Sequence, residues 1–213
     1  SITPATHGLW ERIDNKSMRW SVRVRSHNAI SLNLGFEVWA LPDSASMVIS
    51  STDRSMVIRP FTSEDNKDHG QLWTPAVQGD DLLIEIFVSP KEQQDVKSQI
   101  ELTSINVGYR GFYEQGVDRS GSCNYDVVCE EGDLWWDEIP CVAVISTGGS
   151  TFCTGFMVNN TSQDRTPYFM TARHCGVSSS SAPSLVTYWN YQNSYCRVPG
   201  RGDRGGAGDG QLN

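Results

Sequence analysis

All six cysteines of this 213-residue chain lie between Cys123 and Cys196, and none occurs in residues 1–122. A chain divided in this way is not one evenly cross-linked scaffold. Its cysteine-free stretch must hold itself by burying apolar surface. Its cysteine-bearing stretch (Cys123, Cys129, Cys141, Cys153, Cys175, Cys196) suits disulfides formed in an oxidising compartment. A metal site is the weaker reading, because no Cys-x-x-Cys pair occurs and only His174 lies near a cysteine. We therefore expect no metal and no cofactor. The division is chemical and not electrostatic: residues 1–119 hold 12 basic and 16 acidic groups, and residues 120–213 hold 5 and 9. The net charge of −8 argues against a general nucleic-acid binder, which needs a basic face. No apolar run approaches the roughly 18 residues of a membrane helix. A hydrophobic content of 38% with 10% aromatics is too rich for a disordered chain.

The first part reads as strands. Ile30, Leu32, Leu34, Phe36 and Val38 alternate with Ser31, Asn33, Gly35 and Glu37, the period of a half-buried strand. Trp20, Val22 and Val24 alternate with Ser21, Arg23 and Arg25 just before it. Leu41–Ser44 and Gly79–Asp81 supply turn chemistry, and short strands are expected around Ser46–Ser50 and Met56–Arg59. Leu82, Ile84, Ile86 and Val88 alternate with Leu83, Glu85 and Phe87, and Ile100–Tyr109 makes the last strand. Helical periodicity is poor throughout. This spacing predicts an antiparallel β-sandwich of about 110 residues.

Nothing in that part carries catalytic chemistry. Glu64, Asp65, Asp68 and His69 invite a metal reading, but beside Asn66, Lys67 and Gly70 they read better as a solvated loop. Trp39, placed by the alternation on the exposed face, and Trp73 in a loop are candidates for a sugar platform. Aromatics of this kind more often serve a core or an interface.

The second part carries the candidate site. Ala143–Ser146 leads through Thr147-Gly148-Gly149-Ser150, a plausible hairpin turn, into Thr151–Val158, with Phe152, Thr154, Phe156 and Val158 on one face. A polar loop, Asn159–Pro167, then precedes Tyr168-Phe169-Met170-Thr171-Ala172-Arg173-His174-Cys175. A Cys-x-Gly strand, a hairpin and an apolar strand ending in Thr-Ala-x-His-Cys resemble the first barrel of chymotrypsin-like serine proteases. Gly121–Cys129 with Glu131-Gly132-Asp133, together with Val158–Thr161 and Tyr188–Ser194, narrows the likeness to secreted bacterial lysyl endopeptidases. Asp65-Asn66-Lys67, His69–Pro75 and Gly108–Phe112 are similar to the pro-region of such proteases.

The resemblance implies an all-β chain: a β-sandwich pro-region over 1–119, then the first, incomplete β-barrel of a chymotrypsin-like protease over 120–213. It implies that His174 is the general base, because a serine hydroxyl is a poor nucleophile until an imidazole takes its proton. It pairs Cys153 with Cys175 and Cys129 with Cys196, and leaves open whether Cys123 pairs with Cys141. It implies protein or peptide substrates, a pro-region that contacts its own protease domain, a monomer, and secretion to the periplasm or beyond. No Gly-x-Ser-Gly string occurs, and Asp203 and Asp209, in a glycine-rich stretch, are not assigned to the triad. The expectation is thus a precursor fragment of a trypsin-like endopeptidase that does not itself hydrolyse peptides, with Arg119 as the processing position. Arg201-Gly202-Asp203 and the three Asn-x-Ser/Thr strings are read as incidental. The alternatives are a non-enzymatic secreted binding module with a degenerate protease-like domain, and a protease of glutamyl or arginyl specificity.

Overall fold

The computed structural model describes residues 1–108, 125–193 and 195–196. Contacts divide these into two compact units. The first is built on the N-terminal residues and also takes in Thr147–Ser150 and Ser179–Val186. The second contains the other described residues from 125 onward.

The first unit carries nine strands: β1 (Leu9–Arg12), β2 (Met18–Arg25), β3 (Ser31–Trp39), β4 (Ser46–Ser51), β5 (Val57–Phe61), β6 (Leu72–Trp73), β7 (Val77–Gln78), β8 (Asp81–Val88) and β9 (Ile100–Gly108). They form a five-stranded sheet in the order β1-β2-β8-β4-β5 and a second sheet in which β3 lies between β9 and the short strands β6 and β7. Every described pairing in them is antiparallel. The alternation explains the packing. Trp20 and Val24 of β2, Ile84 and Ile86 of β8, and Met47 and Ile49 of β4 join Leu32, Leu34 and Phe36 of β3 in one hydrophobic cluster. Cross-strand neighbours such as Trp20 with Ile86 and Ile49 with Ile84 stack within the first sheet.

On the other face of that sheet the charges pair. Glu85, only 4% exposed, bonds Arg19 at 3.2 Å and Arg54 at 2.7 Å. Arg19 also pairs with Glu11, and Arg23 with Asp81. A buried carboxylate is tolerated where both its oxygens are satisfied in this way.

Two expectations for this unit change. The alternation of β3 does not run through to its end. The register with β9 shifts at Gly35/Phe36 and again at Phe36/Val38. A bulge adds a residue and inverts the facing of the residues after it. Val38 is accordingly 40% exposed, and Trp39 is 1% exposed, edge-on to Phe36 at 5.4 Å and Phe61 at 6.2 Å. Trp39 is a core residue and not a sugar platform. Trp73 is half-buried, its ring lying over Gly35, where a Cβ would come within 2.6 Å of it. The unit also holds one short helix, α1 (Gln93–Gln99), whose single buried residue is Val96.

The second unit holds most of a four-stranded sheet in the order β12-β11-β10-β13, from β10 (Val142–Thr147), β11 (Thr151–Val158), β12 (Tyr168–Thr171) and β13 (Val186–Trp189). The chain is therefore all-β with several antiparallel sheets, consistent with a chymotrypsin-like arrangement. Among the described residues no helix is long and apolar enough to cross a membrane.

Candidate active site

His174 lies in a single 3₁₀ turn, Arg173–Cys175, directly after β12. Ala172 precedes the turn in extended conformation, and its carbonyl accepts the Cys175 N–H at 3.0 Å. Gly176 closes it with φ of 71°, a left-handed conformation that glycine adopts without a Cβ penalty. The imidazole is exposed and Cys175 behind it is buried.

Several contacts fix the strand end that carries this turn. Cys153 of β11 is bridged to Cys175, with Cα atoms 5.8 Å apart. Thr171 Oγ1 donates to the Thr154 carbonyl at 2.7 Å, and Gly155 pairs with Thr171 across the ladder. The Phe169 ring occupies the place where a Gly155 side chain would stand, and it meets Trp189 of β13 edge-on at 6.0 Å. Cys-x-Gly is thus a mechanical string: the cysteine bridges the histidine turn and the glycine seats the aromatic of the neighbouring strand. The Thr154–Thr171 bond and the Phe169–Trp189 contact are not readable from spacing. Thr154 and Phe156, on one face of β11, are exposed, Phe156 by 41%.

Of the other predicted positions, Cys129 is buried and bridged to Cys196, with Cα atoms 4.8 Å apart. Cys141 is an exposed free thiol. Cys123, Arg119, Asp203 and Asp209 lie outside the described residues. In the Ser63–Gly70 loop, Asp65 is engaged locally: it accepts the Thr62 N–H at 2.9 Å and pairs with Arg59 at 2.5 Å. The Arg59 hydrogen bond holds its carboxyl below the usual aspartate value.

A ring nitrogen of His174 and the sulfurs of Cys153 and Cys175 lie within 4.8 Å of one another. With the two sulfurs joined, neither is a thiolate, so this trio is not a metal site. What it can do is hold an imidazole at the surface on a cross-linked support. Among the described residues no ion pair joins His174 to a carboxylate.

The site is thus an exposed histidine on a bridged strand end of an all-β framework. Comparison with known proteins makes it more particular. Residues 4–105 match the family model of the lysyl endopeptidase N-terminal domain, and residues 117–208 match that of the lysyl endopeptidase C-terminal domain. A lysyl endopeptidase of Pseudomonas aeruginosa is 25% identical over 191 residues, covering 84% of this chain and 39% of that protein. These matches support the lysyl endopeptidase family for this chain, and with it a protease-like character at the level of the family. The chain spans well under half the length of that relative.

Proposed function

We propose that the chain is a precursor portion of a secreted trypsin-like serine endopeptidase, and that His174 is its general base. The observation that carries this reading is the bridged turn that presents an exposed imidazole at the end of β12, inside the stretch matched to the lysyl endopeptidase C-terminal domain. In the reaction a ring nitrogen of His174 takes the proton of a serine hydroxyl as that oxygen attacks the scissile carbonyl. The imidazolium then returns the proton to the leaving amine. An imidazole suits both transfers because its ordinary pKa lies close to neutral pH. The serine and the orienting aspartate come from residues outside this chain. Residues 1–119 are a pro-region, released by cleavage after Arg119, and the protein acts outside the cytoplasm as a monomer. We take lysyl bonds as the substrate because the relative and both family models carry that name.

The test uses the full reading frame that contains this chain, assayed on lysyl, arginyl and glutamyl anilides. Lysyl hydrolysis is expected, and His174→Ala should lower kcat by about 10⁴-fold or more with KM little changed. Hydrolysis that survives His174→Ala would refute the base assignment. A folded, secreted product inert on all three substrates would favour a binding module.

A further inference from the structure

Asn33, the third residue of β3, lies directly opposite Asn106 of β9 and is 5% exposed. Its Nδ2 donates to the Gly149 carbonyl at 2.8 Å. Its Oδ1 and the Asn106 Nδ2 have no hydrogen-bond partner among the described residues. A Cβ placed on Gly149 would collide with both of those atoms. The preceding residue, Gly148, donates its N–H to Ser184 Oγ at 2.9 Å, and Ser184 donates in turn to the Ser181 carbonyl at 2.6 Å. Gly148 and Gly149 have φ of 58° and 76°, so both favour glycine. Every atom in this arrangement belongs to the first compact unit.

A half-satisfied amide pair is a poor choice for permanent packing, where apolar side chains would fill the same space without buried unpaired groups. It is a good choice for a surface that is sometimes open. When the turn is absent, both amides are hydrated, whereas an apolar pair would leave a sticky patch. When the turn is present, one amide reads its carbonyl and the pair together leaves room only for bare backbone. That is selection by exclusion, which rejects any turn bearing a side chain at this position.

We propose that the Asn33/Asn106 face of β3 and β9 is a docking site whose occupant is the Thr147–Ser150 turn of the same chain, recognised by its bare backbone at Gly149. The proposal rests on the reading of residues 1–119 as a pro-region. It gives that segment a point of hold that does not depend on peptide continuity at Arg119.

The experiment exploits two adjacent glycines that differ in one respect. Gly148 has open space where its Cβ would be, whereas Gly149 faces the two amides. Gly148→Ala therefore carries only the backbone penalty, and Gly149→Ala carries that penalty and the collision. A specific-protease site replaces residues 116–119 in the full chain. After cleavage, the two pieces are passed through size exclusion at graded dilution. The parent and Gly148→Ala should co-elute to dilutions at least tenfold beyond those at which Gly149→Ala separates. Asn33→Ala, which removes the hydrogen bond, should weaken retention about tenfold. Far-ultraviolet circular dichroism confirms that each variant is folded. Equal behaviour of the two glycine variants, or immediate separation of the parent, overturns the proposal. Latency of lysyl hydrolysis in the full reading frame is a separate readout. If the glycine variants differ in retention but latency never depends on the N-terminal piece, the docking site stands and the pro-region reading fails. If latency depends on that piece while the glycine variants match, the reverse holds.

Discussion

At the scale of single residues, several charged groups of the first unit are engaged by one another. Asp65 illustrates this. Its carboxylate caps the Ser63–Asp65 turn through the Thr62 N–H and pairs with Arg59, whose guanidinium also lies 4.9 Å from the Phe61 ring centroid. The Arg59 bond is the main cause of its lowered pKa. A depressed native value means that the stability it contributes is present above the unfolded aspartate value, near pH 4, and is lost as pH falls through the native value. Asp65→Asn should therefore cost about 1 kcal/mol at pH 7, because Arg59 is largely solvated and asparagine still accepts the Thr62 N–H. At pH 3 the difference from the parent should shrink. Urea midpoints at the two pH values check this, and a pH-independent difference would show that the charge is not what matters. The same residue explains why the acidic cluster is a weak metal candidate. The capping and pairing partners precede it closely in sequence, but only the three-dimensional turn shows that they engage one carboxylate at once.

At the scale of elements, β3 shows how far a period of two can be trusted. Up to Phe36 the alternation predicts facing correctly, with Leu32, Leu34 and Phe36 fully buried. Beyond it the bulge exchanges Val38 and Trp39, and a bulge leaves no compositional trace in Gly-Phe-Glu-Val-Trp. The polar side of β3 also escapes the pattern, because alternation reports which residues face together and not what covers them. Gly35 is buried beneath Trp73, and Asn33 beneath the Gly149 turn. The short helix α1 is invisible to periodicity because one buried valine in seven residues makes no helical stripe. Gly35 offers a direct check on the covering. Gly35→Ala keeps an ordinary strand backbone but places its methyl 2.6 Å from the Trp73 ring. It should destabilise by about 1–3 kcal/mol, the usual range for overpacking. Gly35→Ala combined with Trp73→Leu should recover part of that loss. Calorimetric melting of the single and double variants measures both. A neutral single variant would mean that the Trp73 ring is free to move aside.

At the scale of the whole molecule, the uneven cysteine distribution matches how each unit is held together. The hydrophobic cluster of the first unit runs from Trp20 to Leu102 and contains no cysteine. Among the described residues of the second unit, the buried apolar side chains are only Cys129, Ala143, Ile145, Cys175 and Tyr188, and two of those five are bridged. Two of the five buried apolar positions described in this unit are thus tied by cross-links, whereas the cluster of the first unit has none. The histidine string is legible because the strand end, the turn and the bridged cysteine that hold His174 are contiguous in sequence, Tyr168–Cys175. The support around it, Thr171 on Thr154 and Phe169 on Trp189, joins residues 17 or more positions apart and leaves no local signal. The bridges close sequence separations of 67 and 22 residues, which a chain-entropy estimate places at about 4 and 3 kcal/mol. Together those values are comparable to the net stability of a small domain, about 5–15 kcal/mol. Reduction should therefore act on one unit only. In hydrogen exchange under a dithiol reductant, the amides of β10, β11 and β12 should lose protection, while those of β2, β3, β8 and β9 keep theirs. Joint loss in both units would show that the first depends on the second for its fold. Unchanged protection in β10–β12 would show that burial alone supports the turn that carries His174, and that the disulfide serves only to limit its motion.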